Sequence, residues 1–269
     1  MALSGNPPSR QLYEKQGYLT DLPVLTEAEL ETYRAAFSQL EDRYGKGATH
    51  MKIVDQHFHQ ASVWELASHP RVLDWVEYAM GPDIVLLATH FLCKYPGMGE
   101  QIVTWHQDTY YWCLDPPRAC TIWLAIDDVD RENGCMQVLP FSHKWGNLAH
   151  FVSDREDNLL RESQAVEDGL IDEPAAVDLC LKAGQVSLHD GLLLHSSRPN
   201  RSSRRRCGLT LRYTSPDVRF TGTASRSEGL TAETAPQGFR PILLRGQDRF
   251  GYLPWSSPPF PGTQQDVLS

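Results

Sequence analysis

Apolar side chains recur at Leu30, Tyr33, Phe37, Leu40 and Tyr44, in steps of three and four that place them on one face of a helix. Ahead of them, Thr26-Glu27-Ala28-Glu29 sets a hydroxyl three positions before a carboxylate, the reciprocal pattern that caps a helix start, and Gly45 closes the run. A second helix is predicted from Pro70 through Val72, Leu73, Val76 and Met80 to Gly81, with proline in its first turn and glycine past its last. Downstream the texture changes to short apolar or alternating runs at 83–95, 101–112, 119–127, 135–139, 177–181, 185–188, 192–196 and 206–214. Turn-forming stretches such as Pro96-Gly97-Met98-Gly99, Asp115-Pro116-Pro117 and Glu132-Asn133-Gly134 divide them. Roughly eight strands at this spacing predict a mainly β chain, an α+β arrangement with a double-stranded β-helix (a jelly-roll, cupin-like core) behind flanking N-terminal helices. Residues 150–173 are charged and polar and predict a long excursion with one surface helix. From Ser215 onward, proline and glycine predict irregular structure that frays after Pro261.

The chain has 269 residues, 41% of them hydrophobic, and shows neither internal repeats nor a mid-chain linker. One domain over 1–269 is expected, with the core at about 83–214 and an irregular segment at 215–269. The polar, proline-bearing start has no apolar signal core, and no stretch is long enough to span a bilayer, so a soluble, cytoplasmic protein with no membrane partner is expected. Six cysteines without a CxxC or zinc spacing predict free thiols. A net charge of -9 argues against a nucleic-acid partner, which needs a basic face. Composition is silent on oligomeric state. The local exception in charge is Arg198, Arg201, Arg204, Arg205 and Arg206, five arginines within nine residues, which the plain reading places on a solvated loop.

Candidate chemistry centres on His106-Gln107-Asp108. In a strand, residues i and i+2 share a face, so the imidazole and the carboxylate would point to one interior. With ten histidines in the chain, such a spacing arises about once by chance. Its position on a predicted strand gives it weight, as does His195 on a second predicted strand, 87 residues after Asp108. Opposed strands of a barrel would bring the three together. Two histidines and one aspartate can hold Fe(II) on one face and leave the other open for a bidentate 2-oxo acid and dioxygen, whereas zinc more often takes tetrahedral His or Cys ligands. His57, His59, His69, His143, His150 and His189 read as packing or hydrogen-bonding residues, His189 being the least settled because it precedes the strand of His195. Tyr110 and Trp112 would continue the face of the two ligands, as a wall of a substrate pocket or as core. Arg198, with Arg201, could receive a small anion.

Three blocks resemble the phytanoyl-CoA dioxygenase family of Fe(II)- and 2-oxoglutarate-dependent oxygenases: WHQD at 105–108, TIWLAIDDVDRENGCMQVLPFSHK at 121–144, and AGQVSLHDGLLLHSSRPNRSSRRR at 183–206. The likeness covers most of 54–214 and takes in Gly17-Tyr18-Leu19. It implies a jelly-roll core, with His106, Asp108 and His195 as iron ligands and 2-oxoglutarate and O2 as co-substrates. It further implies Arg206, eleven residues after the second histidine, as the anchor for the far carboxylate of 2-oxoglutarate, with Ser197, Trp123, Lys52 and His90 around that co-substrate. An arginine suits the anchor because its planar fork binds a carboxylate bidentately and stays charged. The implied reaction is hydroxylation of a C-H bond of a small-molecule metabolite with release of succinate and CO2. The intact Asp108 sets it apart from halogenating relatives, which replace the carboxylate, and leaves desaturation, epoxidation and ring closure open. The acidic balance gives little support to a long coenzyme A thioester, whose phosphates need a basic cleft. One departure from the family pattern is Phe141, where a small residue usually precedes the Ser-His pair. Two readings from other classes are a metal-dependent cupin-type isomerase or hydrolase, which would not need Arg206 and Ser197, and a non-catalytic ligand-binding barrel, which would not need the three ligands.

Overall fold

The structure is a computed structural model and describes residues 10–49, 53–160, 164–221, 240–253 and 255–260. The chain opens with helix α1 (Arg10–Gln16), strand β1 (Tyr18–Pro23), and helices α2 (Glu27–Tyr44), α3 (Lys46–Thr49), α4 (Ala61–Ala67) and α5 (Pro70–Met80). Strands β2 (Ile84–Lys94), β3 (Val103–His106), β4 (Leu114–Asp115), β5 (Cys120–Ala125) and β6 (Met136–Val138) come next. After these lie β7 (Phe151–Val152), β8 (Gln164–Ala165), β9 (Val177–Leu179), β10 (Gln185–Asp190), β11 (His195–Ser197), β12 (Arg206–Thr214), β13 (Arg219–Phe220) and β14 (Ile242–Arg245).

Both predicted helices form. Thr26 and Glu29 make the reciprocal cap of α2, the Thr26 N–H donating to Glu29 Oε2 at 2.7 Å, and the stripe buries Leu30, Phe37 and Leu40 while leaving Tyr44 exposed. In α5, Pro70 occupies the first turn and the Gly81 N–H donates to the Glu77 carbonyl.

The strands assemble into two antiparallel sheets, a six-stranded one in the order β1-β10-β5-β12-β2-β14 and a four-stranded one in the order β3-β11-β6-β9. This is the jelly-roll core. Alternation along β12 shows how the large sheet uses its faces. Cys207, Leu209, Leu211 and Tyr213 point outward and pack with Phe37, Trp64, Val72 and Val76 of the helices, where each large apolar side chain taken out of water contributes about 1.5–3 kcal/mol. Arg206, Gly208, Thr210 and Arg212 point inward. The inner face is apolar where Trp123, Ala125 and Leu92 meet Met136, Val138, Leu179 and Leu193, and polar toward the metal triad.

Three expectations need correction. The segment from Ser215 is not wholly irregular, because β14 pairs with β2 and extends the large sheet. The excursion at 150–173 carries no α-helix among its described residues; it forms the β7–β8 hairpin and short 3-10 turns. It covers the open edge of β3, with the Ile102 N–H donating to the Asp157 carbonyl at 2.9 Å and the Val166 N–H to the Trp105 carbonyl at 2.9 Å. The predicted strand at 101–112 stops at His106. The predicted fraying after Pro261 lies outside the described residues. Phe141, the departure noted above, adopts φ 71°, ψ -11°, a left-handed conformation that a bulky side chain rarely takes, which is a physical reason for a small residue at that turn.

Candidate metal centre

His106 ends β3 and His195 begins β11, and the two residues face each other directly in the register of that strand pair. The ligand strands are therefore neighbours in one sheet, not opposed walls of the barrel as expected. Asp108 is not on the strand either. Gln107 stays extended at φ -114°, ψ 134°, and Asp108 opens a 3-10 turn, so the single extended residue between them preserves the common direction of the two side chains. Candidate ligand atoms of His106, Asp108 and His195 lie within 4.8 Å of one another, and all three residues are buried.

Gln107 holds this corner. Its amide Nε2 donates to the carbonyls of Gly146 at 2.9 Å and Leu192 at 2.8 Å, its Oε1 accepts from the Leu148 N–H at 2.8 Å, and its own N–H donates to His150 Nε2 at 3.0 Å. The turn continues with the Thr109 N–H donating to the Gly191 carbonyl at 3.0 Å. As a result Tyr110 and Trp112 do not extend the strand face. Tyr110 stacks on His150 with ring centroids 4.1 Å apart, and Trp112 packs against Val85, Leu87 and Leu114.

The protonation states suit a metal. His106 Nδ1 lies 2.8 Å from the Thr104 carbonyl and His195 Nδ1 lies 2.9 Å from the Leu193 carbonyl, so each Nδ1 carries its proton and each Nε2 presents a lone pair inward. Burial pushes the His106 imidazole down to about 4, against the opposing pull of Asp108, and pushes His195 well below its ordinary value. Burial alone would raise the Asp108 carboxyl, but Arg212, His189 and His195 outweigh it and hold the group well below the usual carboxylate range. Thr121 Oγ1 donates to Asp108 Oδ2 at 2.6 Å, His189 Nε2 lies 3.5 Å from the same oxygen, and Arg212 Nη2 lies 3.4 Å from Oδ1. Two neutral imidazoles and one carboxylate fixed by its surroundings form a donor set that fits a ferrous ion.

At the far end of the inner face lies a second polar cluster. Arg206 is buried, its guanidinium 4.7 Å from the centre of the Trp123 ring, and its Nε has no hydrogen-bond partner. Its neighbours on the loop are all paired. Arg201 meets Glu100 at 2.7 Å, Arg204 meets Asp130 at 2.6 Å, and Arg205 is bidentate to Asp127 at 2.8 and 2.9 Å over the Phe37 ring, so Arg205 is not the solvated residue expected. Arg206 has no carboxylate partner among the described residues. Beside it in the β2–β12 register is Lys94, also buried, whose ammonium donates to Ser197 Oγ at 2.8 Å and to the Ser197 and Arg198 carbonyls. Burial, reinforced by Arg206, pushes Lys94 well below its ordinary value. Two basic groups facing no acid, with orphaned buried atoms at Arg206 Nε and Ser187 Oγ, fit the dianionic co-substrate that the sequence implied. Gly208 shapes this end, since a Cβ there would stand 2.0 Å from Trp123 Cζ2.

Of the other expected residues, His90 sits on the inner side of β2 opposite Thr210, whose hydroxyl donates to the His90 carbonyl at 3.0 Å. Arg198 is exposed and donates to Gln137 Oε1 at 2.9 Å. Lys52 lies outside the described residues. Sequence reasoning passed over Lys94, Thr121 and Arg212; His189, left there as the least settled of the packing or hydrogen-bonding histidines, stands beside Asp108. Arg212 and Lys94 were within reach of that reasoning, the first by counting in twos from Arg206, the second as a lysine inside the apolar run 84–94.

Set in this barrel, the donor set and the buried basic pair define a class, the non-haem iron oxygenases that use 2-oxoglutarate. The particular family follows from the sequence. The profile of the phytanoyl-CoA dioxygenase (PhyH) family matches residues 13–208, and the chain belongs to that family. Its curated relatives include the peroxisomal phytanoyl-CoA dioxygenase of Rattus norvegicus, 26% identical over 241 residues that cover 81% of this chain and 71% of the relative. Among solved structures, the non-haem monooxygenase ThoJ in its apo form matches with a TM-score of 0.67 at 28% identity, over 93% of this chain and 88% of that one. The epimerase SnoN from nogalamycin biosynthesis, in complex with Fe3+, alpha-ketoglutarate and nogalamycin RO, matches with a TM-score of 0.68 at 23% identity, over 88% of this chain and 97% of that one. No helix among the described residues is long and apolar enough to cross a membrane.

Proposed function

We propose that this protein is an Fe(II)- and 2-oxoglutarate-dependent hydroxylase acting on a C-H bond of a small-molecule metabolite. The observation that carries the reading is the pairing of a buried two-histidine, one-carboxylate face with a buried arginine that no acid neutralises. In this reading His106 Nε2, His195 Nε2 and one oxygen of Asp108 hold the ferrous ion. When bound, the iron supplies activation of dioxygen coupled to conversion of 2-oxoglutarate to succinate and CO2. The rest is the work of the chain. The Thr104 and Leu193 carbonyls keep the two imidazoles in the tautomer that offers Nε2. Thr121 and His189 engage Asp108 Oδ2, leaving Oδ1 for the metal. Arg206, stacked on Trp123, receives the far carboxylate of the co-substrate, and Lys94 fixes Ser197 beside it. His150, the first residue of the excursion, accepts from the Gln107 N–H and ties that segment to the ligand-bearing turn.

A metal-dependent isomerase or hydrolase could use the same three ligands but has no need of the Arg206–Lys94 pair, and a ligand-binding barrel has no need of the triad. The test is an anaerobic titration of purified protein with Fe(II) and then 2-oxoglutarate, following the visible metal-to-ligand charge-transfer band of the chelate, with succinate release as the readout for a substrate screen. A band that forms in the parent and vanishes in Arg206→Ala at the same 2-oxoglutarate concentration supports the reading. Fully metallated protein that gives no band overturns it.

A further inference from the structure

Arg212 is a largely covered cation, 15% exposed with its Nε buried, that the proposed function does not use for the co-substrate. It follows Arg206 by six residues on the same face of β12, so the two Cα atoms stand about 20 Å apart along the strand. The co-substrate cluster of Arg206, Lys94 and Ser197 lies at the start of β12, and Arg212 lies level with the metal triad, opposite Thr121 in the β5–β12 register. Its donors are only partly spent. Nη1 donates to Thr210 Oγ1 at 2.9 Å, Nη2 is a long 3.4 Å from Asp108 Oδ1, and Nε is buried without a partner. Asp108 is its only ion-pair partner among the described residues. Asp55, which also feels Arg212, is shared with Arg240 and spends Oδ1 on the Thr89 N–H at 3.1 Å.

Charge balance points the same way. Among the described residues, Lys94, Arg206 and Arg212 share the inner face with one carboxylate, Asp108, and Asp55 adds a second negative charge that acts on Arg212. A ferrous ion brings two positive charges and a 2-oxo dicarboxylate removes two, so with Asp55 counted one positive charge remains in excess when Lys94 is protonated. A buried excess of this kind calls for a further anion. The Nε–Nη2 edge is the side-on fork of a guanidinium, which matches the two oxygens of a planar carboxylate in spacing and its single charge in magnitude.

We propose that Arg212 is a second carboxylate-binding point on the substrate side of the metal, and that the molecule oxidised carries a carboxylate close to the reacting carbon. The inference rests on the proposed function and extends it to substrate class. The same chemistry could come from the carboxylate of 2-oxoglutarate that lies nearest the metal, and the experiment separates the two sources.

Anaerobic protein is loaded with Fe(II) and saturating 2-oxoglutarate, and the charge-transfer band is followed while benzoate or acetate is added, with benzamide and acetamide as neutral controls. The parent is expected to show a saturable change with the acids and none with the amides. Because Arg212 also contacts the metal ligand Asp108, Arg212→Gln is first brought to full Fe(II) occupancy and its 2-oxoglutarate half-saturation measured. With both sites filled it is expected to answer the acids about tenfold or more weakly, its 2-oxoglutarate half-saturation having moved less than about threefold. Arg212→Lys, which restores the charge without the fork, should recover only part of the response. A band that forms normally but ignores the acids, or an unchanged response in Arg212→Gln, overturns this inference and leaves the hydroxylase reading standing. A tenfold loss of 2-oxoglutarate affinity in Arg212→Gln assigns the arginine to the co-substrate and also overturns it. Failure of the parent to form any band overturns both readings.

Discussion

Gly208→Ala tests how the anchor for 2-oxoglutarate is positioned. A methyl group on Gly208 would stand 2.0 Å from Cζ2, 2.3 Å from Cη2 and 2.5 Å from Cε2 of Trp123, where carbon atoms settle at roughly 3.5–4.0 Å. The strand cannot yield, because Gly208 is paired with Ala125 on one side and Leu92 on the other. The indole must therefore retreat by about 1.5–2 Å, and forcing such a shift in a packed interior costs about 1–3 kcal/mol. The same retreat takes the ring from under the Arg206 guanidinium, now 4.7 Å from its centre. Loss of a desolvated cation–π contact costs about 1–2 kcal/mol, which corresponds to a rise in 2-oxoglutarate half-saturation of about 5- to 30-fold. Denaturant unfolding reads the first effect and anaerobic charge-transfer titration the second. Trp123→Leu in the Gly208→Ala background makes room for the methyl, so it should return the stability lost to crowding without returning the affinity, a non-additive outcome for two residues in contact. If Gly208→Ala binds 2-oxoglutarate as the parent does while losing stability, the Trp123–Arg206 stack does not set the anchor and the reasoning fails.

Three more outcomes are expected. Arg206→Ala should raise the 2-oxoglutarate requirement by about two orders of magnitude and spare iron binding, whereas Arg205→Ala should lower stability by about 1–2 kcal/mol through loss of its bidentate contact with Asp127 and leave the co-substrate alone; titration and unfolding of both variants would expose a wrong register if the effects were exchanged. Thr121→Val removes the hydroxyl donor 2.6 Å from Asp108 Oδ2 and should weaken iron about 10- to 100-fold in a chelator competition, and unchanged affinity would mean that His189 and Arg212 suffice to hold the carboxylate. Burial raises the Glu29 carboxyl, but hydrogen bonds from Thr26 and the charge of Arg71 outweigh it and bring the group from 4.5 to about 2 in the folded chain. Its contribution is therefore complete above about 4.5 and lost as the pH falls through about 2. Because the side chain is 36% exposed, screening keeps Glu29→Gln to about 0.5–1 kcal/mol at neutral pH, and a gap from the parent that persists at pH 2 would show the effect is not ionic.

Much of the fold was legible because its signals are local. The cap and stripe of α2, the proline and glycine bounds of α5, and β12 from Arg206 to Thr214 all follow from residues close in sequence. The strand of β14 was hidden because four residues, Ile242–Arg245, are too short a run to stand out in a stretch rich in proline and glycine. The end of β3 was misjudged because what stops it is not adjacent. The Gln107 amide binds carbonyls at Gly146 and Leu192, 39 and 85 residues away, and those bonds turn the chain before Asp108.

The same distinction runs through the candidate site. Sequence by itself determined which groups are available and which of them point the same way, since an alternation of two is a property of extended backbone: Arg206 with Arg212 on β12, and His106 with Asp108 across the one extended residue Gln107. Tertiary structure alone decided what those groups meet. Lys94 reaches Ser197 across 103 residues, and Arg212 reaches Asp108 across 104. Pairings at that separation depend on which strands lie side by side and in what register, and register is set by the burial of whole faces, not by any residue's neighbours in the chain. Burial then does the rest of the chemistry, because only a folded interior can hold two imidazoles neutral, keep Asp108 charged and leave Arg206 without an acid.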